Sequence, residues 1–118
     1  KIYLSLTHYA LPLALVEKYG GWNNRKLVDL YFKYAKVIFD SFGEYLDYVV
    51  PFNEINTGFF SPFNGLGLLR DEDLGGSGYD LNDIFAGLHN QFIASAKVIE
   101  LGRKMLDASF GCMAACFC

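Results

Sequence analysis

Two periodicities share this chain. Ile2 to Thr7 is an uncharged apolar run, partly β-branched, and reads as a strand. Leu11 to Tyr19 predicts a short helix that opens at Pro12, favoured at the first helical position, and stops at Gly20-Gly21. From Arg25 to Phe42, Leu27, Tyr31, Ala35, Ile38 and Phe42 recur at helical spacing. Lys26, Asp29, Lys33, Lys36 and Asp40 occupy the opposite stripe. Asn23 or Asn24 is placed to cap this helix, and Gly43 to end it. Tyr48-Val49-Val50-Pro51-Phe52 is apolar on both faces, as a parallel strand covered on two sides should be. Pro51 sits awkwardly there because it has no N–H to donate, although it lies near the strand's end. A third helix begins after Asp80, with Asp83 three residues on in a capping-box arrangement. Leu81, Ile84, Phe85, Leu88, Phe92 and Ala96 are its predicted buried stripe, and Lys97, Glu100, Arg103 and Lys104 decorate its end. Phe110 to Cys118 is small and apolar and predicts a third strand.

The order is β-α-β-α-β. Strands alternating with helical crossovers are parallel, which makes the class α/β. Three strands do not close a barrel, which needs eight strands and about 250 residues. The choice at this level is a small open sheet or an arc of a barrel. No internal repeat is visible. Ile55 to Tyr79 is long, with six glycines and two consecutive phenylalanines, and residues 68–79 predict a mobile, solvated loop.

Composition sharpens the picture. The 118 residues are 53% hydrophobic and 17% aromatic, with a mean hydropathy of +0.20. That is rich for one small domain covering itself with polar surface. Lys1 leads straight into Ile2-Tyr3-Leu4, and the chain stops within Ala114-Ala115-Cys116-Phe117-Cys118. The expectation is that residues 1–118 form a single incomplete domain, an internal segment of a larger core. A net charge of −3 and a pI near 5.2 argue against nucleic acid as a partner. No apolar run approaches the roughly 20 residues of a membrane span. The three cysteines, Cys112, Cys116 and Cys118, fall within the last seven residues, on one face of the predicted third strand. With no second Cys/His cluster to complete a zinc site, they read as buried free thiols in a reducing compartment. No metal or cofactor is expected.

In either α/β architecture, ligands bind at the C-terminal ends of the strands. The first strand ends at His8 and the second at Asn53-Glu54. Parallel strands bring all three to one end of the sheet. Each alone also fits a structural hydrogen-bonding residue or a solvated turn, and their conjunction favours a site. A carboxylic acid at a strand's end among aromatic side chains is suited to donating a proton near neutrality. Trp22 reads as a packing residue, and His89, beside the predicted stripe of the third helix, as structural.

The run Leu6-Thr7-His8-Tyr9-Ala10-Leu11-Pro12, then Tyr19-Gly20-Gly21-Trp22, Tyr34-Ala35 with Phe39, Phe52-Asn53-Glu54 and finally His89-Asn90 resembles family 1 glycoside hydrolases in order and spacing over almost the whole chain. The resemblance implies a partial TIM (β/α) barrel, this segment covering strands three, four and the start of five. It implies that Glu54 is the catalytic acid/base, that Asn53 binds the sugar's 2-hydroxyl, and that His8 binds the glycone. Tyr9, where β-glucosidases commonly carry Trp, would line the substrate pocket. Ala10 stands in place of an acidic residue, and Pro51 where Thr is usual.

His8-Tyr9, Phe52-Asn53-Glu54-Ile55-Asn56 and Ser61-Pro62-Phe63-Asn64-Gly65-Leu66-Gly67 are similar to the bacterial 6-phospho-β-glucosidases of that family. That branch implies a cytoplasmic enzyme acting on a 6-phospho-β-glucoside, with a plain β-glucoside as the alternative substrate. The mechanism implied is retaining hydrolysis, with two carboxyls about 5–5.5 Å apart. Glu44, Glu72 and Glu100 are poorly placed as nucleophile. The segment alone is therefore expected to be inactive. Two other functions remain open: a non-catalytic sugar-binding α/β module, and an interaction protein built on exposed aromatic surface. Self-association of the segment through its apolar faces is also open.

Overall fold

The computed structural model describes residues 1–116. Three parallel strands, β1 (Tyr3–Thr7), β2 (Tyr48–Phe52) and β3 (Ser109–Phe110), form one sheet in the order β1-β2-β3. Between β1 and β2 the chain runs through α1 (Leu13–Tyr19), a 3-10 turn (Gly21–Asn23) and α2 (Lys26–Phe42). Between β2 and β3 it forms two short helices, α3 (Thr57–Phe60) and α4 (Pro62–Leu66), a 3-10 turn (Glu72–Leu74) and the long α5 (Leu81–Met105). The sheet is open, and its central strand β2 is buried on both faces from Val49 to Phe52.

The local causes are legible. The amide of Gly20 closes α1 onto the Val16 carbonyl (2.8 Å) from a left-handed backbone that glycine adopts without strain. Asn24 caps the entry to α2, its Oδ1 accepting from the Lys26 amide at 3.0 Å. Asp80 caps α5 through the Asn82 amide at 2.7 Å. One core joins the helices to the sheet, with Leu27, Val28, Tyr31, Ala35 and Phe39 of α2 and Ile84, Ala94 and Val98 of α5 among its members. The second helix thus buries Val28 and Phe39, while Phe42, placed in the predicted stripe, is exposed.

The larger correction is α5. Its buried line is Ile84, Gly87, Asn90, Gln91, Ala94, Val98 and Gly102. Leu81, Phe85 and Phe92 of the predicted stripe are 59%, 57% and 53% exposed. Small residues line the packed face because neighbours come close. A Cβ on Gly102 would lie 2.2 Å from the Phe110 ring, and one on Gly87 would lie 3.2 Å from Leu66. The bulky apolar residues lie off that face, and Phe85 meets only the ring of Phe59, centroids 5.9 Å apart, among the described aromatic contacts. His89 lies on the outer side and is exposed.

The third strand is shorter than Phe110 to Cys118 predicts. Pro51 supplies the physical reason. Ser109 and Gly111 donate to the carbonyls of Asp47 and Val49 (2.9 and 3.0 Å), so alternate residues of β2 face β3, and Pro51 is the next of them. With no N–H there, the ladder ends. The chain past Phe110 is held by other means. The Ile55 amide donates to the Met113 carbonyl at 3.1 Å. The Asn56 side chain grips the Ala115 backbone twice, through Nδ2 to its carbonyl (2.9 Å) and Oδ1 to its amide (2.8 Å). Cys112 and Cys116 are free thiols and exposed, not buried, since no described element covers this stretch. Cys118 and the last part of the predicted strand lie outside the described residues. Residues 69–77 are exposed, and the Asp71 amide closes the base of this loop onto the Gly78 carbonyl at 2.8 Å.

Candidate active site

The C-terminal ends of β1 and β2 lie side by side, Thr7 opposite Phe52, and the Asn53 amide continues the ladder to the Thr7 carbonyl at 2.8 Å. Beneath them is an aromatic cluster. Tyr31 stacks on Phe52 with centroids 4.7 Å apart and planes at 17°. Trp22 meets both rings edge-on, at 5.4 and 5.3 Å. The Tyr31 hydroxyl donates to the Pro51 carbonyl and accepts from Thr7 Oγ1 at 3.3 Å. Burial pushes the Tyr31 phenol well above its ordinary pKa, with the Thr7 hydrogen bond acting the other way. One α2 side chain therefore fastens both strand ends. Pro51 contributes a carbonyl here rather than only lacking a donor.

The Gly-Gly-Trp turn abuts the same place. Gly21 has a φ of 80°, and a Cβ on it would fall 2.4 Å from the Gly67 carbonyl oxygen and 2.6 Å from that of Leu66. Only glycine permits that approach. Trp22 is buried, and Asn90 Nδ2 ties its carbonyl (2.9 Å) and that of Asn23 (3.2 Å) to α5.

Above this floor, Tyr9, Asn53 and Glu54 line a narrow cleft together with Thr7, Asn64 and Gln91. Its free volume of about 10 Å³ is room for about one water, so any larger ligand would sit over its mouth. Glu54 is the one carboxylate among the cleft's described lining residues. The Tyr9 hydroxyl donates to Glu54 Oε2. His8 is exposed and does not line the cleft; its ring meets Tyr9 edge-on at 5.1 Å.

Sequence reasoning missed Gln91 and Tyr31. Gln91 is 2% exposed and donates through Nε2 to the Gly65 carbonyl at 2.7 Å, while its buried Oε1 has no partner among the described residues. Two adjacent amide side chains, Asn90-Gln91, between Gly87 and Ala94 were the available signal.

A carboxylate at the end of a parallel strand is of a kind that can transfer a proton at a bound ligand. The chain is 39% identical over 113 residues to an aryl-phospho-β-D-glucosidase, BglH, of Bacillus subtilis, a match covering 95% of this chain and 23% of that protein. It is 36% identical over 111 residues to a 6-phospho-β-glucosidase of Dickeya chrysanthemi, covering 93% and 22%. Among solved structures, a family 1 β-glucosidase from Thermotoga maritima superposes with a TM-score of 0.76 at 26% identity, over 93% of this chain and 23% of that one. The chain therefore spans about a quarter of the length of the relatives it matches, and its open sheet is an arc of their (β/α) barrel. The profile of Glycosyl hydrolase family 1 matches residues 1–116, and the chain belongs to that family.

Proposed function

We propose that these residues supply the acid/base of a retaining β-glycosidase whose nucleophile lies outside them. The observation that carries this reading is Glu54, lodged with Asn53 in a cleft at the C-terminal end of β2 of a family 1 chain. In the first step Glu54 gives a proton to the glycosidic oxygen while a second carboxylate captures the anomeric carbon. In the second step it takes a proton from the water that releases the sugar. Asn53 holds the 2-hydroxyl, a contact that strengthens in the transition state, and His8 and Tyr9 meet the glycone. Glu44 lies in the 3-10 turn (Gly43–Tyr45) that precedes β2, at the opposite end of that strand from Glu54, while Glu72 and Glu100 are exposed on the loop and on α5. None of the three replaces the missing nucleophile.

The substrate class is a 6-phospho-β-glucoside, cleaved in the cytoplasm. The names of the Bacillus and Dickeya relatives support the phosphorylated substrate, while the Thermotoga β-glucosidase supports a plain β-glucoside as the second reading. No helix among the described residues is long and apolar enough to cross a membrane. The test is turnover of p-nitrophenyl β-glucoside with and without a 6-phosphate by the full-length protein carrying this sequence. Faster cleavage of the phosphorylated substrate, and a loss of about a hundredfold or more with Glu54→Gln, is expected. Unchanged activity in Glu54→Gln, or turnover by residues 1–118 alone, sinks the proposal.

A further inference from the structure

Among the described residues, two that are not glycine hold a positive φ: Tyr9 at 64° and Glu54 at 44°. Such backbone is uncommon away from glycine, and it clusters where structure serves chemistry. The two positions are also equivalent. Thr7 and Phe52 face each other as the last residues of β1 and β2, and Tyr9 and Glu54 each follow by two. The two strand ends therefore carry a left-handed residue at the same position, side by side. The result is a single hydrogen bond, from the Tyr9 hydroxyl to Glu54 Oε2.

We propose that Tyr9 is a positioning residue for the acid/base. Its phenol holds Oε2 and leaves Oε1 as the oxygen that exchanges a proton with the substrate. This rests on the function proposed above and assigns Tyr9 a task besides lining the pocket. In the first step the proton on Oε1 passes to the glycosidic oxygen as its bond to the anomeric carbon breaks. The alcohol leaves, the external carboxylate bonds the sugar, and Glu54 becomes a carboxylate. Tyr9 keeps its own proton throughout, and its hydrogen bond strengthens as charge appears on Oε2. In the second step a water proton moves to Oε1 while the water oxygen displaces the nucleophile.

A group that acts through the acid/base affects only those reactions that need an acid. A dinitrophenolate leaves without protonation, whereas a methoxyphenolate does not. The experiment compares kcat/KM, which reports the first chemical step, for dinitrophenyl and methoxyphenyl β-glucosides of whichever phosphorylation class the full-length enzyme cleaves. Tyr9→Phe keeps the ring and removes the donor. The expected result is a loss of about tenfold or more with the methoxyphenyl substrate, the scale of one hydrogen bond to a charged group, and almost none with the dinitrophenyl substrate. In a Glu54→Gln background, Tyr9→Phe is expected to cause no further loss. Equal losses with both leaving groups, no loss with either, or a loss that adds in full to that of Glu54→Gln overturns the proposal and leaves Tyr9 a sugar contact. An unmutated enzyme that cleaves neither substrate class overturns the proposed function and this inference together.

Discussion

Gly20 and Gly21 form a matched pair for testing the packing of the site. Both are left-handed, with φ of 74° and 80°. They differ in space. A Cβ on Gly20 would meet nothing nearer than Asn23 Oδ1 at 3.7 Å, an ordinary contact, whereas one on Gly21 would collide with the backbone carbonyls of Leu66 and Gly67. Alanine at Gly20 therefore carries the conformational cost alone, about 1–2 kcal/mol. Alanine at Gly21 carries that cost and a steric displacement of about 1–3 kcal/mol more, because a backbone carbonyl has no rotamer to escape into. The displaced segment is the end of α4, whose Asn64 and Gly65 line the cleft beside Glu54, so activity should fall along with stability. The assay is urea denaturation of the full-length protein, with the midpoint shift multiplied by a common slope, and kcat/KM measured on the same preparations. The expected order is wild type, Gly20→Ala, then Gly21→Ala, with Gly21→Ala clearly the less active. Equal destabilisation by the two variants would show that the close approach of the two turns contributes nothing and would refute the reasoning.

Two further outcomes are expected. The Tyr31 phenol is raised by burial, so the folded state keeps its proton above pH about 10, where the unfolded chain loses it. The stability associated with Tyr31 is thus whole below that pH and falls by about 1.4 kcal/mol per unit as pH rises above it. Tyr31→Phe should flatten the alkaline limb of a stability–pH curve, and an unchanged limb would count against the burial argument. Asn90→Ala leaves the Trp22 and Asn23 carbonyls without their donor and should cost about 2–4 kcal/mol. Asn90→Asp turns a carboxylate toward those two oxygens and should be worse still. Thermal melts of the pair would decide it, and an Asp variant as stable as wild type would rule the reading out.

Much of this architecture is legible in the residues. The strand at Tyr48–Phe52, the glycine stop after α1 and the cap at Asp80 are local features, governed by pattern and backbone chemistry. The grouping of Asn53, Glu54 and Tyr9 at one end of the sheet follows from parallel strands. What misled was size taken as a sign of burial. On α5 the large residues Leu81, Phe85 and Phe92 stay exposed while Gly87, Ala94 and Gly102 pack, because a helix pressed closely against its neighbours needs small residues at the contact. Cys112 and Cys116 misled likewise, since their apolar surroundings in the sequence suggested burial and no described element covers them. Pro51 misled in a different way. Its missing N–H could be read directly, but the carbonyl it offers to Tyr31 depended on a helix that comes earlier in the chain.

The grip of Asn56 on Ala115 spans 59 residues, and it has a consequence for the order of folding. A contact that distant in sequence requires a long loop to close before it returns any stability. During synthesis, Glu54 and its strand emerge well before Ala115 exists to be held. The turn after Glu54 therefore takes its final form only once the chain through Ala115 has left the ribosome. Until then the turn that carries Asn56 lacks the two hydrogen bonds that hold it to Ala115.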